Sequence, residues 1–168
     1  EKQPGEWRPV LMLSGEHEFD PQSHWYGPFK NAREAKRVLT ELAKPHQLCH
    51  ALLGLESVKP GKPCFAYQLQ QCKGACVGEE TVLSHSARLM AALSRHKIAP
   101  WPFAGPAWIR EGGEVHLIHH WRHLGTVCNE ADLYALFDAS APAFERDSYR
   151  ILLKARDRMV PLAPDRSV

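Results

Sequence analysis

Lys62-Pro63-Cys64-Phe65-Ala66-Tyr67-Gln68-Leu69-Gln70-Gln71-Cys72-Lys73-Gly74-Ala75-Cys76-Val77-Gly78 places three cysteines in one short stretch, with Cys49 a little upstream. The spacing is C-x14-C-x7-C-x3-C. Thiolates repel one another and are costly to take out of water, so four gathered in one segment make sense chiefly around a cation or cluster that neutralises them. Both zinc and an iron–sulfur cluster do so. Zinc folds usually supply two C-x2-4-C knuckles, whereas this chain offers one close pair, Cys72 and Cys76, and two ligands from flanking segments. That pattern tilts toward iron–sulfur, with zinc as the alternative. Ordinary buried thiols are the plainer explanation, which the clustering disfavours. Gly74 and Gly78 let backbone amides approach the sulfurs and tune a cluster. The fifth cysteine, Cys128, stands alone and reads as structural or incidental.

Outward from the cysteines, Gly54 to Pro63 holds two prolines and two glycines, a loop that brings Cys49 back toward Cys64. Phe65 to Gln71 reads as a short helix. Glu79 and Glu80 read as the acidic first turn of a longer helix that buries Val82, Ser86, Leu89, Met90 and Leu93. Upstream, Pro9-Val10-Leu11-Met12-Leu13-Ser14 has the brief apolar run of a buried strand. Asn31 is placed to cap a helix, with Glu34 three residues on and Ala35, Val38, Leu39, Leu42 and Ala43 at helical spacing. Pro45 ends it.

Pro100-Trp101-Pro102-Phe103-Ala104-Gly105-Pro106 breaks regular structure and marks a subdomain boundary. Beyond it, Ala107 to Arg110 and Val115 to Trp121 flank Gly112-Gly113, the signal of a β-hairpin. Asn129 and Asp132 suggest a helix burying Leu133, Leu136 and Phe137. Phe144 to Met159 suggests a last helix with Tyr149, Leu152 and Ala155 near one face. Pro161 and Pro164 mark a frayed tail.

The 168 residues, 44% apolar and 24% charged, suffice for a globular core. A net charge of +2 argues neither for nor against a polyanionic partner. Clustered thiols rather than scattered pairs point to a reducing compartment, and no apolar run reaches the length of a membrane span or a signal peptide, so a cytoplasmic protein is expected. A first residue other than methionine hints at a piece of something longer.

Pro63 to Gly78 resembles the cysteine-rich segment that follows the GIY-YIG nuclease domain in the UvrC/Cho excinuclease family. Tyr26-Gly27-Pro28-Phe29 resembles that family's aromatic-Gly-Pro-aromatic turn. Trp101-Pro102-Phe103-Ala104-Gly105, Trp121-Arg122-His123-Leu124-Gly125 and Phe144-Glu145-Arg146-Asp147-Ser148-Tyr149 are similar to patterns in the branch where a DnaQ-type exonuclease precedes a Cho-like module. The resemblance implies incision of damaged DNA in nucleotide excision repair. It also implies a four-iron, four-sulfur cluster on Cys64, Cys72 and Cys76, with Cys49 as the fourth ligand. The GIY-YIG motif with its arginine and metal-binding glutamate, and the exonuclease acids, would lie upstream. No Gly-Ile-Tyr or Tyr-Ile-Gly occurs here, so the chain alone is expected not to cleave DNA.

The expected fold is α+β and mostly helical. Residues 1–47 would be the end of a GIY-YIG domain, 48–99 a four-cysteine helical module, 100–160 a hairpin followed by two helices, and 161–168 a flexible tail. Lys30, Arg33, Lys36 and Arg37, with Lys44 and with Lys73 beside the cysteines, are candidates for DNA-backbone contact. Glu34 and Glu41 interleave with them, so a solvated helix face explains the pattern as well. Trp25 and Tyr26 could stack on a base, although core packing is the commoner use. His116, His119, His120 and His123 are dense but lack an acidic partner. In a single strand His116 and His120 would face away from His119, which disfavours a metal site. The partners expected are DNA and the rest of a parent nuclease; the competing class is a zinc-bearing interaction module.

Overall fold

The computed structural model describes residues 7–13, 24–129, 132, 136 and 141–162. The chain divides into two compact units, one made of Glu1–Leu11 and Trp25–Lys97, the other of Met12–His24 and Ile98–Val168. The architecture is α+β, as the sequence leads one to expect. No helix among the described residues is long and apolar enough to cross a membrane.

In the first unit, helix α1 spans Ala32–Ala43 and starts where Asn31 Oδ1 accepts the Glu34 N–H at 2.9 Å. The Glu34 carboxylate reaches back past the cap to accept the Lys30 N–H, which ties the chain entering the helix to its first turn. Ala35, Leu39 and Ala43 recur at intervals of four and form the buried stripe. Helix α2, Phe65–Gln68, is shorter than the run to Gln71 suggested, and Gln70 beyond it takes a left-handed conformation at φ 58. Helix α3, Val82–Leu93, is capped by Thr81, whose side chain accepts the Ser84 N–H at 3.2 Å. Glu79 and Glu80 therefore precede the helix rather than forming its first turn. Their carboxylates are engaged elsewhere, Glu79 by the Tyr67 hydroxyl and Glu80 by Arg88.

Leu39 and Ala43 of α1, Leu48 and Leu53 after it, and Leu89, Ala92 and Leu93 of α3 pack into one core. Full burial of a leucine such as Leu48 contributes about 1.5–3 kcal/mol. Tyr26 packs against the same core and bridges to Lys97, and the neighbouring Gly27 N–H donates to the His96 carbonyl at 2.7 Å. The run at Val10 to Leu13 is not a buried strand. It forms no regular structure and its side chains are exposed, Val10 at 73%, because no strand among the described residues pairs with it.

The second unit is built on an antiparallel sheet of order β3-β2-β1-β4, where β1 is Ala107–Glu111, β2 Glu114–His119, β3 Arg122–Val127 and β4 Val160–Pro161. Gly112 and Gly113, at φ 58 and 91, make the tight β1–β2 turn that the sequence announces. The strand read through to Trp121 instead ends at His119. A second tight turn at His120-Trp121 starts a third strand, which the pattern of apolar residues did not disclose. A bulge between Leu117 and Ile118 shifts the β2–β3 register, since Leu117 pairs with Gly125 and Ile118 with His123. Pro161, read as tail, pairs with Ala107 on the edge strand, a place where a missing N–H is tolerated. Helix α4, Arg146–Ala155, is shorter than the run to Met159 and passes into a 3₁₀ turn, Arg156–Arg158. Asn129 and Asp132 do cap each other's backbone, at 3.1 Å in both directions. Leu133 and Phe137 of the helix expected beyond them lie outside the described residues.

Three aromatic motifs close this core. The Trp121 ring, fully buried, meets Trp101 edge-on at 5.1 Å and Tyr149 edge-on at 5.6 Å. Phe144 packs on Tyr149 at 5.6 Å. Each polar tip is satisfied by backbone: the Trp101 indole N–H donates to the Gly105 carbonyl at 2.8 Å, Trp121 Nε1–H donates to the Ala99 carbonyl at 2.8 Å, and the Tyr149 hydroxyl accepts the Ala99 N–H at 2.9 Å. Gly125 is needed because a Cβ there would lie 2.5 Å from Leu136 Cδ2.

Candidate metal centre

The four cysteines come from three separate pieces of backbone. Cys49 follows the turn that ends α1, where the Leu48 N–H returns to the Ala43 carbonyl at 2.9 Å. Cys64 is the residue from which α2 starts, and Cys72 and Cys76 flank a tight loop at Gly74. Gly74 sits at φ 81, and a Cβ there would lie 2.7 Å from Glu79 Cβ, so only glycine closes this loop. All four Sγ atoms lie within 4.8 Å of one another, and those of Cys49 and Cys64 are 3.9 Å apart.

Cys49, Cys64 and Cys72 are buried and Cys76 is half-buried, with Leu52, Ala66, Val58, Tyr67 and Ala75 packed around them. Backbone amides are aimed at sulfur: Cys64 N–H points to Cys76 Sγ and Gly74 N–H to Cys72 Sγ, each at 3.4 Å. Burial pushes the Cys72 thiol up to about 11 and raises Cys49 further, with the neighbouring sulfurs adding to both. For Cys64, burial acts upward too, but the Tyr67 amide and the Cys76 thiol outweigh it and leave the group below its usual value. Burial and mutual repulsion oppose ionisation of Cys49 and Cys72, and Arg88 is the cation that interacts with Cys72, so four stable thiolates there call for a bound cation among them.

The donors fit such an occupant. Four sulfurs with no carboxylate or imidazole among them are the soft set that selects zinc or iron–sulfur. A single tetrahedral zinc, with Zn–S near 2.3 Å, puts neighbouring sulfurs roughly 3.8 Å apart, close to the spacing seen. A four-iron cube binds each cysteine at a different corner and spreads the sulfurs farther. Cys49, Cys64, Cys72 and Cys76 would be the ligands in either case.

His85 belongs beside this centre, and the sequence reading missed it. It is 1% exposed on the inner face of α3, and its Nε2 accepts the Cys49 N–H at 3.0 Å, while Nδ1 has no partner. Burial lowers its pKa, so the ring is a neutral acceptor that fixes the backbone of one cysteine. Helical spacing from Ser86 and Leu89 was the signal that pointed inward here. Arg88, one turn on, ties the same helix to the end of α1 by donating to the His46 and Gln47 carbonyls at 3.1 and 3.0 Å and to Glu80.

Lys30, Arg33, Lys36, Arg37 and Lys44 are all exposed on or beside α1, and Arg37 pairs with Glu41 at 2.7 Å. Lys73 is exposed on the cysteine loop. His120 is not in a strand as the sequence suggested; its ring stacks on His119 at 3.9 Å, and His116 faces His123 at 5.3 Å. Among the described residues, the four cysteines are the one group of metal-binding side chains with converged donor atoms. Cys128 is exposed and apart from them.

Residues 3–95 match the UvrC/Cho excinuclease middle domain, more than half of the chain. The chain belongs to the UvrC/Cho excinuclease family. Residues 106–166 match the excinuclease Cho C-terminal domain. Excinuclease Cho of Salmonella typhi is 37% identical over 141 residues, 82% of this chain and 48% of that protein. Excinuclease Cho of Escherichia coli K12 is 33% identical over 153 residues, 89% of this chain and 52% of that protein. UvrABC system protein C of Mycoplasma pneumoniae is 34% identical over 77 residues, 44% of this chain and 12% of that protein. The chain thus spans about half the length of the Cho relatives it matches. No solved structure gives a significant match.

Proposed function

We propose that this chain is the cluster-bearing part of a Cho-like DNA-repair nuclease of the cytoplasm, which holds a metal centre for stability and helps to position DNA. Incision itself is carried by residues that this chain does not contain. The observation that supports the reading most directly is the convergence of four thiols, three of them buried, in a pocket with amides aimed at sulfur. Family membership favours a four-iron, four-sulfur occupant. The exposed cations of α1 and Lys73 supply the phosphate-contacting surface in this reading.

Anaerobic purification followed by iron, sulfide and zinc analysis tests the cofactor. A brown protein with stoichiometric iron and sulfide is expected. A colourless protein with one zinc overturns the cluster and leaves the second reading, a zinc-bearing interaction module, which the closeness of the sulfurs favours. Fluorescence anisotropy with labelled DNA tests the rest: affinity should fall steeply with salt, and the Arg33→Glu/Arg37→Glu variant should weaken it. Indifference to both would leave a purely structural module.

A further inference from the structure

Two consecutive residues, His120 and Trp121, sit in the left-handed region at φ 48 and 62. Glycine is favoured there, and the other tight turn of the same sheet uses Gly112-Gly113. Packing explains Trp121, whose buried ring and satisfied indole anchor the core. His120 has no such anchor. Its ring stacks on that of His119 with the planes 23° apart, and both meet Trp101 edge-on at 6.3 and 6.4 Å. Among the described residues neither imidazole makes a hydrogen bond. Arg122 pairs with His119 across the turn, has no carboxylate partner among the described residues, and its buried Nε has no acceptor.

The acids of the β1–β2 hairpin lie at the opposite end of β2, where Glu111 and Glu114 flank the glycine turn. The β2–β3 turn therefore presents two imidazoles and a guanidinium, all short of acceptors, on a backbone held in place by Trp121. Such a set matches an oxyanion. Burial lowers both histidines first; His120 and then Arg122 add to the effect on His119, and Arg122 to that on His120.

We propose that His119, His120 and Arg122 grip a backbone phosphate of DNA. The proposal rests on the DNA-binding reading above and adds a second contact site, on a different unit from the basic helix. The left-handed His120 is then a residue kept for its ring at a position where glycine would be more stable.

The test uses the whole chain with its metal as purified, a fluorescein-labelled oligonucleotide and a salt series, alongside thermal unfolding. His120→Gly should hold or raise the Tm while weakening DNA binding roughly three- to tenfold. Arg122→Gln should weaken it similarly and reduce the slope of log K against log salt by about 1. Unchanged affinity in both variants, while Arg33→Glu/Arg37→Glu still weakens binding, overturns this site and leaves the wider DNA reading standing. No DNA binding by the unaltered chain overturns both. Inorganic phosphate that occupies the turn at low millimolar concentration, with no stronger effect from DNA, would show a small-anion site and overturn the assignment to DNA.

Discussion

The two units solve the problem of a small core by different means. In the unit of Trp25–Lys97, leucines and alanines of α1 and α3 make one modest cluster, and a second is made largely of cysteines with Leu52 and Ala66. Thiols of small volume bury little apolar surface, and burial disfavours the charged forms of Cys49 and Cys72. The other unit has no such cluster among its described residues. It relies on Trp101, Trp121 and Tyr149, whose rings meet edge to face and whose polar tips all reach backbone, with Phe144 tilted against Tyr149. In the proposed reading, one unit is thus completed by a metal centre and the other by its own side chains.

Metal removal should separate them most sharply. Binding energy at a four-thiolate site is folding energy, on the order of 10 kcal/mol for small zinc modules. Chelation, or Cys64→Ser, is expected to expose the amides of α2 and of residues 48–80 to hydrogen exchange while those of β1 and β2 stay protected. Equal loss of protection in both would break the comparison. The converse substitution, Trp121→Ala, should cost about 3–5 kcal/mol by leaving a large cavity, with the metal content unchanged on elemental analysis.

Arg88→Met probes the first unit without touching a thiol. It strands the largely buried Glu80 carboxylate and the His46 and Gln47 carbonyls in the turn after α1, for about 2 kcal/mol in chemical denaturation. The smallest effect expected is on the sheet unit with pH. His119, His120 and His123 all lie below the ordinary 6.5, mainly through burial. The unfolded chain therefore takes up protons first as pH falls. Stability that is fully present above about pH 6.5 should decline below it, and replacing the three by glutamine should flatten that decline.

Much of the site was legible because metal ligation is written in residue type and spacing. Cys64, Cys72 and Cys76 announce themselves, and Asn31 with Glu34 fixes the start of α1 by local hydrogen bonds. Gly112-Gly113 likewise encodes its turn in the backbone freedom of glycine. The turn at His120-Trp121 was hidden for the opposite reason: neither residue favours it, and it exists because the Trp121 ring is held in the core by partners about 20 residues before and 28 after it. Val10 to Leu13 misled in the same way, since an apolar run becomes a strand only where another strand pairs with it.

By itself, then, the sequence determined the donor set, the capped helix and the glycine turn, all matters of chemistry between near neighbours in the chain. Only the tertiary structure decided that Cys49 stands within 4.8 Å of the other three sulfurs, that His85 holds its backbone, and that three separate aromatic motifs form one core. Those relations join residues tens of positions apart, and their energies arise from burial and from satisfying polar groups inside it. No local pattern carries that information.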